Sequence, residues 1–363
     1  MKTRRMPAFL LAAAAALSMS LSAAALTAGA ADVHENVLPP APSADASSYA
    51  VALDGEQMLF GPADWRLEGN PFAAAASKYA SDETVHLQTL PADGVSRLAV
   101  NAALCGVVVE PSDTGSFELD TVGASGPISA RLTLSGGTLT LTARGSTGLR
   151  YLCTREDARV NTVLLRVPAQ RYFSLTLSAR DALVHAYGEA VGSVGGSADG
   201  GMLYVTAEKL SARCTMTCTN GDVVIEADEI TGKQDVQTDN GDIAVIAGKV
   251  GGELYFRSEN GDIAVRAETL GRATITTQNG DLLLDVKELT KDAYLKDLNG
   301  DVRVNFRKEP QDLDFVFSGG NFDEIRLPRG WDGGVTLGSG EPKFTLRTEN
   351  GEVRVTFGKL ETP

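Results

Sequence analysis

Asn220-Gly221-Asp222, followed by Val223 and Ile225, is the stretch whose reading decides the fold. The triplet returns at Asn240-Gly241-Asp242, Asn260-Gly261-Asp262, Asn279-Gly280-Asp281 and Asn299-Gly300-Asp301. A sixth version, Asn350-Gly351-Glu352, stands near the end of the sequence. The steps are 20, 20, 19 and 20 residues, then 51. A fixed period near twenty marks a stacked array, because one such unit cannot bury its apolar face alone.

The flanking residues say what each unit is. Four positions before the Asn stand Met216, Val236, Phe256, Ile275, Leu295 and Leu346, and two before it Cys218, Thr238, Ser258, Thr277, Asp297 and Thr348. Three after it stand Val223, Ile243, Ile263, Leu282, Val302 and Val353, and five after it Ile225, Val245, Val265, Leu284, Val304 and Val355. Alternation by twos on both sides of a glycine reads as strand, corner, strand. No helical period survives, which argues against leucine-rich and tetratricopeptide-type repeats. The expected fold is all-β, a single-stranded β-solenoid (β-helix) with Asn-Gly-Asp coils of about 20 residues.

The triplet has a structural explanation. The inward set shifts by one residue across the corner, so Gly and Asp must make the turn, and Gly supplies the φ > 0 conformation other residues resist. Stacked Asn side chains form a hydrogen-bonded ladder. The Asp column, Asp222, Asp242, Asp262, Asp281 and Asp301, recurs at about 5 Å, the spacing of strands in a sheet. Neighbouring like charges at that distance cost on the order of 1 kcal/mol in water, so solvent, corner N–H groups, basic side chains or a cation must offset them. Calcium suits stacked carboxylates. The glycine-rich nonapeptide of calcium-binding β-rolls and the EF-hand loop are both missing, however. No metal or other cofactor is therefore expected, and solvated carboxylates capping the turn are.

Residues 1–30 (Met1-Lys2-Thr3-Arg4-Arg5, an Ala/Leu run, then Ala28-Gly29-Ala30) read as a secretory signal peptide. Residues 31–48 are Pro-, Ala- and Ser-rich and read as a flexible linker. Residues 49–82 form a short N-terminal segment, with a hairpin expected around Val51, Leu53 and Met58-Leu59-Phe60 and a short helix from Pro71 to Tyr79. Residues 83–198 are β-rich but irregular in spacing, and 199–363 hold the repeats. The whole chain carries a formal charge of −14. Loss of residues 1–30 takes three of the 33 Lys and Arg and none of the 47 Asp and Glu, which makes it −17. Such a surface excludes nucleic acid and anionic lipid as partners. Membrane contact is expected only through an uncleaved signal segment.

This order of features resembles the DUF4097 family, an adhesin-type family related to the toastrack domains of bacterial envelopes. The carrying residues are Arg97-Leu98-Ala99-Val100, Leu139-Thr140-Leu141, Leu164-Leu165-Arg166-Val167-Pro168, and then coils of Asn-Gly-Asp-aliphatic-x-aliphatic. The resemblance spans about Val95 to Phe357. It implies an exported β-solenoid acting in surface adhesion or, with a membrane partner, in envelope-stress signalling. It carries over no catalytic residues. The departure is the 51-residue step, where 308–343 read as one or two irregular coils with a loop holding Trp331.

Little in the sequence suggests chemistry. Cys214 and Cys218 lie about 13 Å apart along one strand, beyond disulfide reach, and read as core thiols. Cys105 and Cys153 remain free to pair with each other. His34, His86 and His185 have no partner pattern, and no Gly-x-Ser-x-Gly or phosphate-binding loop is present. A polysaccharide-active solenoid enzyme is the alternative, with Asp323, Glu324, Arg326, Arg329 and Trp331 as its one mixed-charge loop. Binding is the preferred reading. Tyr255 and Tyr294, both five before their Asn, face outward two coils apart and suit stacking on sugar rings. Val224, Ala244, Ala264 and Leu283, four after the Asn, are apolar though outward-facing. That column is expected to be covered by the first half or a second copy, or else to be a partner site. The partners implied are a glycan or an envelope protein.

Overall fold

The computed structural model describes residues 84–358, apart from 123–127, 146–161, 169–172, 188–190, 212, 320–324 and 332, together with the strands Ala50–Leu53 and Glu56–Leu59. The signal peptide, the linker, the expected helix from Pro71 to Tyr79, His34 and Cys153 lie outside the described residues. The expected hairpin is present, with Val51 opposite Met58.

The repeats form a parallel β-solenoid. Each coil supplies two strands that meet at the Asn-Gly-Asp corner, as in Arg213–Cys218 followed by Asp222–Ile230. Every position before the corner stacks on its equivalent one coil on: Met216, Val236, Phe256, Ile275, Leu295 and Leu346 are consecutive partners. Beyond the corner Val223, Ile243, Ile263, Leu282, Val302 and Val353 do the same. All twelve side chains are at most 1% exposed. The alternation read from the sequence is therefore the alternation between core and outer face.

The first half, uneven in sequence, is regular in space. Val100 stacks on Leu177, Leu177 on Gly196 and Gly196 on Met216, so the same inner column runs on into the described strands of the first half. The second column extends likewise through Leu203, Val184, Val107 and Val163. What hides this from a periodicity search is chain order. Thr138–Arg144 lies outside Arg97–Ala103, although it follows it in the chain. At the far end Lys343–Thr348 is inserted between Ala293–Lys296 and Leu313–Gly319. Asn350 therefore stacks directly on Asn299 across the 51-residue step.

Antiparallel strands close both ends. Ser129–Ser135 pairs with Thr138–Arg144, Ser116–Val122 with Thr162–Pro168, and Thr84–Pro91 lies outermost on Ser116–Val122. At the other end Gly334–Leu337 runs antiparallel to Leu313–Gly319. Trp331 stands in the expected loop, between Ile325–Arg326 and Gly334–Leu337, yet is only 4% exposed. Its ring lies 4.9 Å from Phe315 and 5.1 Å from Phe357, in a cluster that also holds Phe306 and Phe344. A solenoid core must end somewhere, and here an indole plugs it.

Candidate functional site

The corners are the most regular polar feature of the molecule. The Asn240 amide donates to Asn220 Oδ1 (3.1 Å), Asn260 to Asn240, Asn279 to Asn260, Asn299 to Asn279 and Asn350 to Asn299 (2.9 Å each). Each also donates to the backbone carbonyl preceding the Asn one coil back, as Asn260 does to Asp239 (3.2 Å). Asn220 begins the ladder on Asp199 Oδ1 (3.1 Å). The Asn side chains are thus spent on their neighbours, as their stacking requires.

The Asp column uses the same logic through the backbone. Asp222 Oδ1 accepts the N–H of Asp242 (2.9 Å), Asp242 that of Asp262, Asp262 that of Asp281, Asp281 that of Asp301, and Asp301 that of Glu352 (2.7–2.8 Å). Corner N–H groups are therefore the offset for the stacked charges. It is incomplete. Burial raises the Asp222 carboxyl to about 6, and burial with the charges of Asp222 and Asp262 holds Asp242 well above the usual carboxylate range. Among the described residues no group of three or more His, Cys, Asp or Glu is arranged to hold a metal ion.

The glycines serve a purpose other than the one the turn suggests. Gly351 has φ of 120°, but the five glycines from Gly221 to Gly300 are not in the left-handed region. Their constraint is space. A methyl on Gly221 would sit 2.5 Å from the Gly201 carbonyl oxygen. One on Gly241, Gly261, Gly280, Gly300 or Gly351 would sit closer still to the carbonyl oxygen of the glycine one coil back. Stacked backbones touch at this column, and only a residue without Cβ fits.

Inside the corner, the column two before the Asn is polar and buried. The hydroxyls of Thr238 and Ser258 both donate to the Gly241 carbonyl (2.6 and 3.3 Å), and that of Thr277 to Gly261 (3.1 Å). Asp297 occupies the equivalent place with no exposure. Its Oδ2 accepts the Gly300 N–H at 2.8 Å while Oδ1 has no hydrogen-bond partner. Burial raises this carboxyl to about 8.

The outward faces differ from one another. Leu283 and Ala264 are buried, and Val224 and Ala244 half-buried, so this column is not an open patch. The described strands of the first half do not lie over it, since they extend the stack along its axis. The same face carries a polar network. Tyr204 donates to Glu226 (2.5 Å), Arg266 Nε lies 3.1 Å from Asp285, and Asn305 donates to Asp285 at 2.9 Å. His185 stacks on Tyr204, with ring centroids 4.6 Å apart, and burial lowers its pKa to about 3.

On the opposite face one ring of the equivalent column stands exposed. Asp235, Tyr255, Thr274, Tyr294 and Thr345 are consecutive partners across five coils. Tyr255 is 42% exposed and Tyr294 half-buried. Lys233 Nζ stands 5.8 Å from the Tyr255 ring centre and 3.6 Å from Asp235. Sequence reading found the two tyrosines but missed Lys233 and Asp235, although Asp235 also lies five before its Asn.

Other expected sites separate or vanish. Cys105, Cys214 and Cys218 are free and buried, as expected for the two core thiols, and Cys153, the expected partner of Cys105, lies outside the described residues. Burial raises the thiols to about 11 for Cys105 and about 12 for the other two. In the proposed enzyme loop Asp323 and Glu324 lie outside the described residues, Arg326 and Arg329 are exposed, and Trp331 faces the core. A cluster unread in the sequence joins the first-half strands. His86 Nδ1 meets Asp120 at 2.7 Å, His86 Nε2 meets Thr89 Oγ1 at 2.9 Å, and Arg166 binds Asp120 (2.5 Å) and Glu110 (3.1 Å). It ties the outermost strand to the stack.

Two solved structures resemble the fold. One is described as "a putative adhesin" from Bacteroides fragilis, 11% identical, with a TM-score of 0.28, covering 76% of this chain and 97% of that one. The other is described as "a putative cell adhesion protein" from Clostridium sporogenes, 7% identical, with a TM-score of 0.22, covering 76% and 99%. No curated protein matches. The family model described as Toastrack DUF4097 matches residues 95–321, which is most of the stack, and the chain belongs to that family.

Proposed function

We propose that this protein is an exported, non-enzymatic binding or display scaffold of adhesin type at the bacterial envelope. Its binding element is the face around Tyr255. The observation that carries the reading is the grouping there of an exposed ring, a cation and a carboxylate: Tyr255, Lys233 and Asp235. A sugar ring needs an aromatic surface for its C–H face and a donor and acceptor for its hydroxyls, and this patch holds all three. Tyr294, two coils on, repeats the aromatic element about 9.6 Å away at the strand spacing. A stiff sheet presents both rings at little entropic cost.

The supporting features agree. Corner polar groups are spent within the stack, which leaves the scaffold rigid. The acidic surface favours neutral or basic ligands over anionic ones. Binding of neutral and acidic glycans to the wild type and to Tyr255→Ala, Tyr294→Ala and the double variant tests the reading. The expected result is neutral-glycan binding weakened about tenfold or more by Tyr255→Ala, with unchanged melting. Binding indifferent to both tyrosines would refute the site. Depolymerisation of a glycan would refute the non-enzymatic reading.

A further inference from the structure

The two ends of the stack are finished differently. At the end that holds Trp331, the outermost strands are short, Ile325–Arg326 and Gly334–Leu337, and the indole closes the core. Short edges and a plug are ordinary protection against association. At the other end the outermost strands are longer, Thr84–Pro91 and Ser129–Ser135. Among the described strands each has a partner on one side only.

The side chains at that end are unusually apolar. Five large hydrophobic side chains are exposed among the described residues, and three of them, Val85, Leu87 and Leu134, lie on these two strands. Val85 is opposite Thr121, which is paired to Val163 of the inner column, and Leu134 is opposite the buried Leu139. Both therefore continue core columns past the last closed layer. The ladder shifts register between His86 and Gln88, which leaves Leu87 unpaired and 42% exposed. Gln88 joins the two strands into one surface. Its amide donates to the Leu132 carbonyl (3.3 Å) and its oxygen accepts the Leu132 N–H (3.1 Å).

Charge decides the occupant. Thr84-Val-His-Leu-Gln-Thr-Leu-Pro91 holds no Asp, Glu, Lys or Arg, and Ser129–Ser135 holds Arg131 alone. In a chain of net −14, two copies repel across most of their surfaces. On these two strands themselves two copies can meet without opposed carboxylates, and Glu118, on the strand behind, lies 3.8 Å from Arg166. Asp120, on that same strand, is held by Arg166 and His86. A two-fold contact of this patch with itself sets apolar against apolar. We propose that this end of the stack is a homodimer interface, in which Val85, Leu87 and Leu134 of one copy cover those of a second in a head-to-head, two-fold arrangement. Dimerisation would place the Tyr255 faces of two copies on one rigid rod, which raises avidity for a repeating ligand. The dimer itself does not depend on the ligand assignment.

The test is sedimentation equilibrium of the full chain, with Leu87→Lys, Val85→Lys and, at the opposite end, Ile325→Lys. The expected result is a dimer whose dissociation constant rises about tenfold or more in the first two variants and is unchanged in the third. Leu87→Cys, set against itself across the two-fold axis, should cross-link on mild oxidation, whereas Ile325→Cys should not. Cross-linking stays informative if a lysine variant folds poorly. A monomeric wild type overturns the proposal, as does a dimer indifferent to Leu87→Lys with no cross-link at Leu87→Cys. A peptide or other protein that binds this end of a monomeric wild type would overturn the second-copy assignment.

Discussion

At Gly261 a missing methyl group decides whether coils can stack. The backbone one coil back occupies the space a Cβ would need, and no side-chain rotation relieves a clash with a carbonyl. Gly261→Val is therefore expected to cost about 4 kcal/mol or more, or to prevent folding. Asp262→Asn keeps an oxygen that can accept the Asp281 N–H and removes a charge from a crowded column. Its effect should stay within about 1 kcal/mol, read by denaturant unfolding. The buried thiols give a second check. With pKa values raised to about 12, Cys214 and Cys218 should resist alkylation in the native protein and react at the rate of global unfolding.

Asp297 makes the residue scale dependent on pH. Its folded pKa of about 8 lies above the ordinary 3.8, so the fold prefers the neutral acid. The associated stability is complete below about pH 4 and is lost as pH rises through about 8. Asp222, at about 6, acts in the same direction. His185 acts oppositely, because its value of about 3 makes the fold prefer neutral imidazole, and that stability is lost as pH falls below about 6.5. Melting should therefore be lower at about pH 9 than at about pH 6.5, and Asp297→Asn should remove much of the difference. At about 1.4 kcal/mol per pKa unit, and a few degrees per kcal/mol for a chain of this size, the shift is readily measured.

At the scale of the element, the coil was legible and the ends were not. Met216, Val236 and Phe256 announced an inward column because every coil repeats the same alternation at the same step. The 83–198 half obeys the same stacking, but Thr138–Arg144 and Arg97–Ala103 are neighbours in reversed chain order, which a search for equal steps cannot see. The corner glycines were recognised for the wrong reason, since the turn conformation is a property of one coil and the steric limit belongs to two. The loop holding Trp331 was legible but its burial was not, because no local pattern marks a cap. Trp331→Ala should open the aromatic cluster and cost about 3–5 kcal/mol, with the Tyr255 face intact by glycan binding. Lys233 and Asp235 were missed because sequence shows a column and not which neighbouring side chains gather round one of its members.

For the whole molecule, the corner ladders tie each repeat coil to the next along the stack. The charge column along the strands supports this. Lys209, Glu229 and Lys249 alternate in sign at 2.8 and 3.3 Å, whereas the Asp column carries one sign and relies on backbone N–H groups. The Asn-Gly-Asp corners satisfy one another coil by coil. Thermal melting of the protein with calcium, and again with a chelator, should therefore give the same transition. A large calcium-dependent rise would show instead that the Asp column binds a cation.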